Sequence, residues 1–358
     1  MKCRLLIFSF LVVLSSVARA GSDVRTGPIR FPLPVSDTVT MVIIGDVMMH
    51  ARQLEYPHDK FLSGISPFLK EADCAVANME FTLGGEPYTG YPAFSSPDSY
   101  AGYVSDCGVD VFLMANNHIL DRGANGLDRT LGVYRNMDGV RFTGAAADAR
   151  EKESVYPLII RERGVSIALI NFTYGTNTPS DRDWPAVNRT DTTDIANAIR
   201  RARQRKADYV IALPHWGEEY RLLHSSAQER LARWLADKGV DAIIGSHPHV
   251  VQDSTHIAGI PVVYSTGNAV SNMSATDTRL ELAVSISFVR DSIFGRSRML
   301  EPELRFMWCT LPGQLTDSYC TIFVDEWEGR RDEWITPSDY DNMMSTLERV
   351  KKATGIRQ

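Results

Sequence analysis

Polar side chains that bind metals or move protons follow the buried, strand-like runs of this sequence. In the run VFLMANNHILDRG, residues 111–123, apolar residues give way to Asn117 and His118, with Asp121 three residues further on. Four other apolar runs end in the same way, at Asp46, at Glu80, at His215, and at His247 and His249. Because functional side chains in α/β proteins collect at the carboxyl ends of the strands, we expect these residues to meet in one site.

These residue types predict a metal centre. Divalent cations such as Mn, Zn and Fe accept imidazole nitrogens beside carboxylate and carboxamide oxygens. The predicted ligands are Asp46, Glu80, Asn117, His215, His247 and His249. They suffice for two cations that share a bridging carboxylate, and such a pair activates a water and stabilises an oxyanion in a displacement reaction. A lone histidine after a strand is more often structural, so the prediction depends on all of these residues occurring together.

Residues beside the predicted ligands have predicted roles of their own. His118 is the predicted proton donor to a leaving group, and Asp121 is predicted to orient its imidazole. His50, four residues after Asp46, is a further predicted ligand, although an exposed helical position explains it equally well. The residues predicted to border the substrate pocket are Glu219, Tyr220 and Asn268.

The elements that hold this site alternate between strands and helices. Buried strands such as residues 39–44 are followed by amphipathic helices such as SSAQERLARWLADKGV, residues 225–240. This alternation predicts an α/β domain with a largely parallel sheet. We place the domain at residues 39–289, after a lead-in linker at residues 21–38, and treat residues 290–358 as a C-terminal appendage packed on it.

The first twenty residues have the pattern of a secretory signal peptide. Lys2 and Arg4 precede an apolar run, and Ala18-Arg19-Ala20 supplies the small residues of a cleavage site before Gly21. The run is too short for a stable membrane span. We therefore expect an exported protein, periplasmic or extracellular, that does not span the membrane after cleavage between Ala20 and Gly21.

The charge of the chain argues against nucleic acid as a partner. Removal of the signal lowers the lysine and arginine count from 38 to 35 against 44 acidic residues, a net charge of about −9. A chain this acidic is not typical of nucleic-acid binding. The arginine-rich run at residues 200–206 lies on a predicted amphipathic helix. It is interpreted as a solvated helix face, with a polyanion-binding patch as the weaker alternative.

Four cysteines remain after the predicted cleavage. Cys309 and Cys320 bracket a predicted hairpin, and an oxidising compartment permits a disulfide between them. Cys74 and Cys107 each lie at or just before a predicted strand, where either buried thiols or a second disulfide is consistent with the sequence. Both pairings are left open.

Six motifs, taken together, resemble the CapA family of poly-γ-glutamate capsule synthesis proteins. The motifs occur in the family's order over residues 39–289, and they are GDVMMH, ANMEFT, ANNHILDRG, HWGEEY, GSHPHVVQ and YSTGN. The resemblance implies a metallophosphatase-like fold of the calcineurin-like superfamily, a four-layer αββα sandwich with a small β/helical C-terminal appendage here. It also implies two divalent metal ions.

The resemblance assigns roles to the same side chains. It implies that Asp46 is the aspartate of the first motif, that Glu80 bridges the metals, and that His118 donates a proton beside Asn117. Three histidines match the remaining metal ligands, His215, His247 and His249. The chain departs from the family at His50, where many members have arginine, and at Thr266 and Ala269, which replace leucine and phenylalanine.

These observations predict an exported, metal-dependent hydrolase that acts on an anionic cell-surface polymer or a phosphoester. In the expected mechanism, a metal-bridged hydroxide attacks a phosphoryl or carbonyl centre while His118 protonates the leaving group. The main alternative is a non-catalytic subunit that binds other capsule synthesis or export proteins and holds a structural metal. A secreted nucleotidase-like phosphatase is a third possibility, because fold alone does not decide function.

Overall fold

The computed structural model describes residues 36–291 and 295–357. The predicted signal peptide and all but the last residues of the predicted lead-in linker lie outside the described residues. Within the described ranges, no helix combines the length and apolar character needed to cross a membrane.

Within these described residues, seventeen strands form two large sheets and one small one. In chain order they are β1 (Ser36–Val47), β2 (Cys74–Met79), β3 (Val111–Leu113), β4 (Arg141–Thr143), β5 (Ala145–Ala146), β6 (Leu158–Glu162), β7 (Val165–Thr173), β8 (Ala186–Val187), β9 (Tyr209–His215), β10 (Ala242–Ile244), β11 (Ser254–Ile257), β12 (Ile260–Val263), β13 (Asn268–Val270), β14 (Leu280–Asp291), β15 (Ser297–Met299), β16 (Glu303–Thr310) and β17 (Cys320–Phe323).

The helices lie between these strands and after them. They are α1 (Ser66–Glu71), α2 (Asp98–Asp106), α3 (Gly123–Arg135), α4 (Ala149–Val155), α5 (Thr192–Gln204), α6 (Ser226–Asp237), α7 (Val324–Trp327) and α8 (Pro337–Thr354). Short 3-10 helices occupy Gln53–Glu55, His58–Lys60, Thr276–Arg279 and Arg331–Glu333.

Both large sheets are mixed rather than largely parallel. Sheet I has nine strands in the order β17-β16-β14-β1-β2-β3-β4, with β13 beside β1 and β15 beside β14. Sheet II has six strands in the order β11-β12-β10-β9-β7-β6. The strands that carry the predicted ligands are parallel within each sheet, whereas hairpins add antiparallel strands at the edges. Short turns such as Arg163-Gly164, where both residues have positive φ, permit only antiparallel pairing.

The two large sheets pack face to face, and helices cover their outer faces. The cluster between the sheets contains Met41 and Ile43 of β1 together with Ile211 and Leu213 of β9. A second cluster joins sheet I to α1, α2 and α3, and a third joins sheet II to α5 and α6. The predicted four-layer αββα sandwich is therefore confirmed.

Strand β1 shows why the sequence suits this position. Side chains alternate between the two faces of a strand. Met41 and Ile43 enter the cluster between the sheets, while Val42 and Ile44 enter the cluster beneath the helices. Because both faces are buried here, residues 41–44 form an unbroken apolar run, as in the interior of other α/β sheets.

Helices α5 and α6 have strong sequence signals at their starts. Asp191 caps α5 by accepting hydrogen bonds from the backbone N–H groups of Thr193 and Asp194. Ser225 and Gln228 form a capping box at the start of α6. These caps fix where each helix begins, and so where its apolar face meets sheet II.

The C-terminal segment is more closely joined to the domain than the sequence predicts. The predicted boundary at residue 289 falls inside β14, and β16 and β17 extend sheet I through antiparallel pairing with β14. Helix α8 packs Met343 and Val350 into the cluster between the sheets. The segment therefore contributes to both the sheet and the core, because its strands supply the edge that β14 would otherwise leave unpaired.

All four described cysteines are free and buried. Cys320 lies opposite Thr310 in the β16–β17 ladder, so Cys309 is one residue out of register with it. Successive strand side chains point to opposite faces. Cys309 accordingly joins the cluster under the helices and Cys320 the cluster between the sheets, which separates the two thiols.

The arginine-rich run at residues 200–206 serves packing. Arg201 donates a hydrogen bond to the carbonyl of Tyr156, and Arg203 pairs with Asp241 at 2.7 Å. Guanidinium groups held in this way anchor α5 to neighbouring loops, which favours the solvated helix face over a polyanion patch.

Candidate metal centre

The carboxyl ends of the inner strands of both sheets meet at one edge of the sandwich. In sheet I, Asp46 of β1 is in register with Asn78 of β2 and with Asn268 of β13. In sheet II, β9 ends at His215, and the loop after β10 carries His247 and His249. The site is therefore built from two sheets, and neither sheet holds all the donor atoms.

A close backbone approach shapes the first strand end. The N–H group of Asp46 donates to the carbonyl of Gly267 at 3.0 Å. A Cβ atom on Gly45 would lie 1.8 Å from that carbonyl oxygen, so only glycine fits there. Gly45 thus lets the loop before β13 approach β1 and bring Asn268 to the site.

Asp46 is completely buried and contacts both halves of the site. Its Oδ1 atom accepts a hydrogen bond from Asn78 Nδ2 at 2.7 Å. Its Oδ2 atom lies 3.4 Å from His249 Nδ1 and accepts a hydrogen bond from the backbone N–H of His247 at 3.3 Å. The carboxylate therefore ties the strand end of sheet I to the histidine loop of sheet II.

Glu80 follows β2 and is also completely buried. Its Oε1 atom lies 3.7 Å from His215 Nε2 and 3.9 Å from His249 Nε2. That oxygen and His247 Nδ1 are buried without a hydrogen-bond partner among the described residues. Buried polar atoms almost always have partners, so two orphaned donor atoms in one site indicate that they face a ligand.

His215 links Asn117 to the centre. Its Nε2 atom lies 2.7 Å from Asn117 Oδ1, and its Nδ1 atom lies 2.9 Å from Ser246 Oγ. The ring centroids of His215 and His247 are 4.8 Å apart. The carboxamide and these imidazoles therefore surround the same small volume as the two carboxylates.

The donor atoms form three overlapping groups in which one atom from each residue lies within 4.8 Å of the others. Two groups are buried and share Glu80, and the third contains the exposed side chain of Glu219. The groups are Asp46, Glu80 and His249; Glu80, His215 and His247; and Glu219, His247 and His249. This mixture of nitrogen and oxygen donors, with orphaned atoms among them, fits divalent cations such as Mn, Zn or Fe.

The electrostatics of the site also favour a cation. Burial raises the pKa of Asp46, but its hydrogen bond with His249 and the histidine charges outweigh burial and bring the pKa to about 2. Burial and the neighbouring Asp46 raise the pKa of Glu80 well above its ordinary value. Burial lowers the pKa of His247 to about 3 and that of His215 well below its ordinary value. The neutral imidazoles of His215 and His247 are ready to coordinate, and a cation would reverse the preference of Glu80 for its proton.

His118 lies beside the centre and is oriented by Asp121. Its Nδ1 atom is 2.7 Å from Asp121 Oδ2, which also accepts the backbone N–H of Phe94 at 2.9 Å. The rings of His118 and Phe94 pack edge to face at 4.7 Å. Because a carboxylate can only accept, Nδ1 carries the hydrogen and Nε2 remains for proton transfer.

A pocket of about 630 Å³ opens onto this site. It is lined by Asn117, His118 and His249 and by the predicted substrate residues Glu219 and Tyr220. Asn268 is buried behind the pocket, where its Oδ1 atom lies 2.9 Å from His249 Nδ1. The structure thus places Asn268 against His249, and its predicted contact with a substrate stays a prediction.

His50 lines the same pocket but belongs to none of the three donor groups. Its Nδ1 atom lies 3.1 Å from Gln53 Oε1 and 3.3 Å from the backbone nitrogen of Asn272. Burial lowers its pKa to about 4 despite the hydrogen bond with Gln53. Its role as a metal ligand stays a prediction.

Three side chains that support the site are assigned no role from the sequence: Asn78, Asn116 and Tyr174. Asn78 donates to Asp46 and accepts from Asn116 Nδ2 at 3.2 Å, which fixes the carboxylate between two strands. The ring of Tyr174 lies 4.6 Å from that of His247 and stacks over His215 at 6.4 Å. Asn78 was visible at the end of an apolar run, but Tyr174 follows β7, which carries no predicted ligand.

The family model described as "Bacterial capsule synthesis protein PGA_cap" matches residues 40–273. The chain is 30% identical over 261 residues to the "Capsule biosynthesis protein CapA" of Bacillus anthracis, covering 68% of this chain and 62% of that protein. It is 29% identical over 261 residues to the "PGA biosynthesis protein CapA" of Bacillus subtilis, covering 68% of this chain and 66% of that protein. The chain therefore matches a little less than two thirds of the length of these relatives.

Similarity to solved structures is weaker. The 5′-nucleotidase precursor from Thermus thermophilus gives a TM-score of 0.48 at 14% identity, covering 88% of this chain and 59% of that chain. A novel phosphatase from Mycoplasma pneumoniae gives a TM-score of 0.44 at 13% identity, covering 76% and 94%. No functional conclusion follows from similarity at this level.

Proposed function

Because the chain belongs to the bacterial capsule synthesis protein PGA_cap family, we propose that it is an exported, metal-dependent hydrolase of capsule polymer metabolism. The observation that carries the proposal is the meeting of buried carboxylates and imidazoles from two sheets beside a histidine–carboxylate pair. The relatives named for capsule and PGA biosynthesis support a cell-surface polymer, or a phosphoester derived from one, as the substrate.

The proposed cation ligands come from both sheets. One buried group comprises Asp46, Glu80 and His249, and a second comprises Glu80, His215 and His247, so Glu80 is positioned to serve both. Asn117 Oδ1 adjoins the second group through His215. When bound, divalent cations supply Lewis acidity that polarises the scissile bond and offsets negative charge in the transition state.

The chain's own proton donor is His118. With Nδ1–H held by Asp121, the imidazole presents Nε2 to the leaving group, and the protonated ring donates its proton from that atom. Asp121 stabilises the protonated ring and fixes its orientation. Phe94 packs against the ring and limits the access of water from that side.

The walls of the pocket indicate how a substrate is recognised. Among the described residues that line it, none is lysine or arginine, whereas tyrosine and asparagine side chains occur as Tyr91, Tyr220, Asn177 and Asn272. Cations held by the proposed ligands would supply the positive charge that recognises an anion, and the amide and aromatic groups suit the linkages of a polyamide backbone. A γ-linked glutamyl polymer combines both features.

The proposal is tested by elemental analysis of the purified protein combined with a substrate panel. The panel contains bis(p-nitrophenyl) phosphate, nucleotides and γ-glutamyl oligomers. We expect bound transition metal and turnover of at least one phosphoester or γ-glutamyl substrate. His118→Ala should retain the metal and lose turnover by about 10²–10⁴-fold, the usual contribution of a general acid. Full metal content without turnover across the panel would contradict catalysis and favour a binding or scaffolding subunit.

Export has a separate test. The proposal rests on the N-terminal pattern of basic residues, apolar run and small residues before Gly21. N-terminal sequencing of the protein recovered from cell fractions should find a chain that begins at Gly21 outside the cytoplasm. An uncleaved chain confined to the cytoplasm would exclude export.

A further inference from the structure

Glu219 stands out among the donor residues because it is the exposed member of a group whose other members are buried. It lies on the loop after β9 at the mouth of the pocket. We propose that Glu219 is a metal ligand that forms, with His247 and His249, a cation site at the pocket mouth. This inference rests on the proposed metal centre and assigns Glu219 a role different from the substrate contact predicted from the sequence.

The backbone holds Glu219 against the two histidines. The N–H group of the next residue, Tyr220, donates to the carbonyl of Pro248 at 2.9 Å, and Pro248 lies between the two histidines in the chain. Three non-glycine residues of these paired loops have positive φ: 63° at Tyr220, 101° at His247 and 58° at His249. Such conformations cost of order 1–3 kcal/mol each and cluster at ligand sites. The loops are therefore fixed in an unfavourable geometry that brings the three side chains together.

Each histidine has one nitrogen atom that can face this site as well as the buried groups. His247 Nδ1 is buried and has no hydrogen-bond partner among the described residues. His249 Nδ1 is engaged by Asn268 and Asp46, which leaves Nε2 on the other side of its ring.

A metal ligand explains Glu219 better than a substrate contact does. The described residues that line the pocket include no lysine or arginine, so an unneutralised carboxylate at the mouth would repel an anionic substrate. Coordination removes that repulsion. Two imidazoles and one carboxylate are a donor set for borderline divalent cations such as Zn or Mn. Because Glu219 is exposed, this donor can exchange for water or substrate, unlike the buried Asp46 and Glu80.

The experiment measures cation binding rather than turnover. Full-length purified protein, stripped with a chelator, is titrated with Zn²⁺ or Mn²⁺ by isothermal calorimetry. Glu219→Gln, a nearly isosteric change at an exposed position, should weaken one binding step by at least about tenfold or abolish it, in line with the effect of removing even an indirect partner of a metal. Glu218→Gln is the matched control, because Glu218 is the adjacent exposed glutamate and pairs only loosely with Arg221, at 3.9 Å.

The outcomes separate this inference from the proposed function. If the wild-type protein binds no cation, the metal centre itself is wrong. If the wild-type protein binds cations and Glu219→Gln binds them with the same stoichiometry and affinity, only the assignment of Glu219 fails. Unchanged cation binding with a raised KM for a substrate would return Glu219 to the role of a substrate contact.

Discussion

At the scale of single residues, the candidate site depends on buried side chains that do not line its pocket. Asn78 is buried, donates a hydrogen bond to Asp46 and accepts one from Asn116. It therefore connects the end of β1 with the end of β3. Without Asn78, the Oδ1 atom of Asp46 would lose the hydrogen bond that Asn78 Nδ2 donates at 2.7 Å. Residues of this kind orient the ligands of a metal and influence its affinity almost as strongly as the ligands themselves.

We therefore expect Asn78→Ala to weaken both the fold and the metal centre. Two buried polar groups would lose a partner, which costs about 1–3 kcal/mol each. Metal affinity should fall by about 10–100-fold. Urea unfolding and calorimetric metal titration measure the two effects. Asn136→Ala, at an exposed asparagine that binds only the carbonyl of Gly132, should change neither by more than experimental error.

A second residue-scale prediction concerns Glu281 of β14. Its carboxyl group is completely buried, and neither oxygen has a hydrogen-bond partner among the described residues. Burial, with a smaller contribution from Asp46, raises its pKa well above the ordinary 4.5. A carboxyl that takes up a proton on folding stabilises the fold below the unfolded-state pKa. That stability is lost as the pH rises through the folded-state pKa.

We expect Glu281→Gln to remove this dependence of stability on pH. Above about pH 4.5 the free energy of unfolding of the wild-type protein should fall relative to that of the variant, by up to about 1.4 kcal/mol per pH unit. Guanidinium unfolding of both proteins across about pH 4 to 8 measures the difference. The exposed Glu303→Gln on neighbouring β16 is the control. Parallel stability–pH curves for wild type and Glu281→Gln would show that the carboxyl is ionised in the fold.

At the scale of elements, one buried ion pair attaches helix α8 to sheet I. Arg279, at the end of a 3-10 helix, donates to both carboxylate oxygens of Asp339 at 2.8 Å. The same guanidinium donates to the carbonyl of Cys309 and lies over the ring of Trp308 at 4.3 Å. Both charged side chains are at most 4% exposed, so neither can be solvated if the other is removed.

Asp339→Ala should therefore be strongly destabilising. Removal of one partner leaves a buried, unpaired guanidinium, which costs about 3–5 kcal/mol. Asp341 lies on the same helix as Asp339 and forms an exposed pair with Arg331. Asp341→Ala breaks this pair and should cost less than about 1 kcal/mol. Chemical unfolding of the two variants makes the comparison. Equal losses would mean that α8 is held by its apolar face alone.

The sequence predicts elements well where the signal is local. The amphipathic pattern and capping residues of α6 specify it, and the turn at residues 162–164 specifies the β6–β7 hairpin. Pairing between distant strands has no such local signal. Nothing in residues 303–323 by themselves shows that β16 and β17 extend sheet I beside β14, and for that reason the tail resembles an appendage.

The candidate site likewise has one part that the sequence predicts and another part that it does not. Its ligand residues are predictable because strands end in polar residues of the right type, and the structure brings Asp46, Glu80 and the three histidines together. The contacts that support these residues depend instead on the register between strands. Asn78 faces Asp46 because the ladder shifts between Ile44 and Asp46, and the sequence alone does not give this shift.

At the scale of the whole molecule, cation binding should stabilise both sheets at once, because each sheet supplies part of every buried donor group. A cation present at about 100 times its dissociation constant adds about 2.7 kcal/mol to the free energy of unfolding. Thermal unfolding with excess Mn²⁺ or Zn²⁺ should shift to a higher Tm, and EDTA should reverse the shift. Asp46→Asn should show no such gain, whereas an identical gain in that variant would place the cation elsewhere.

Asn171, near the end of β7 in sheet II, joins the two halves of the sandwich. Its Oδ1 atom accepts the backbone N–H of Ala115 after β3, and its Nδ2 atom donates to the carbonyl of Leu213 in β9. Because these hydrogen bonds join the ends of β3, β7 and β9, we expect the three strand ends to move together. In the proposed hydrolase, a product would leave past the surface loops that bear Tyr91 and Glu219, which line the pocket. Hydrogen–deuterium exchange should be fast in those loops and slow at the strand ends.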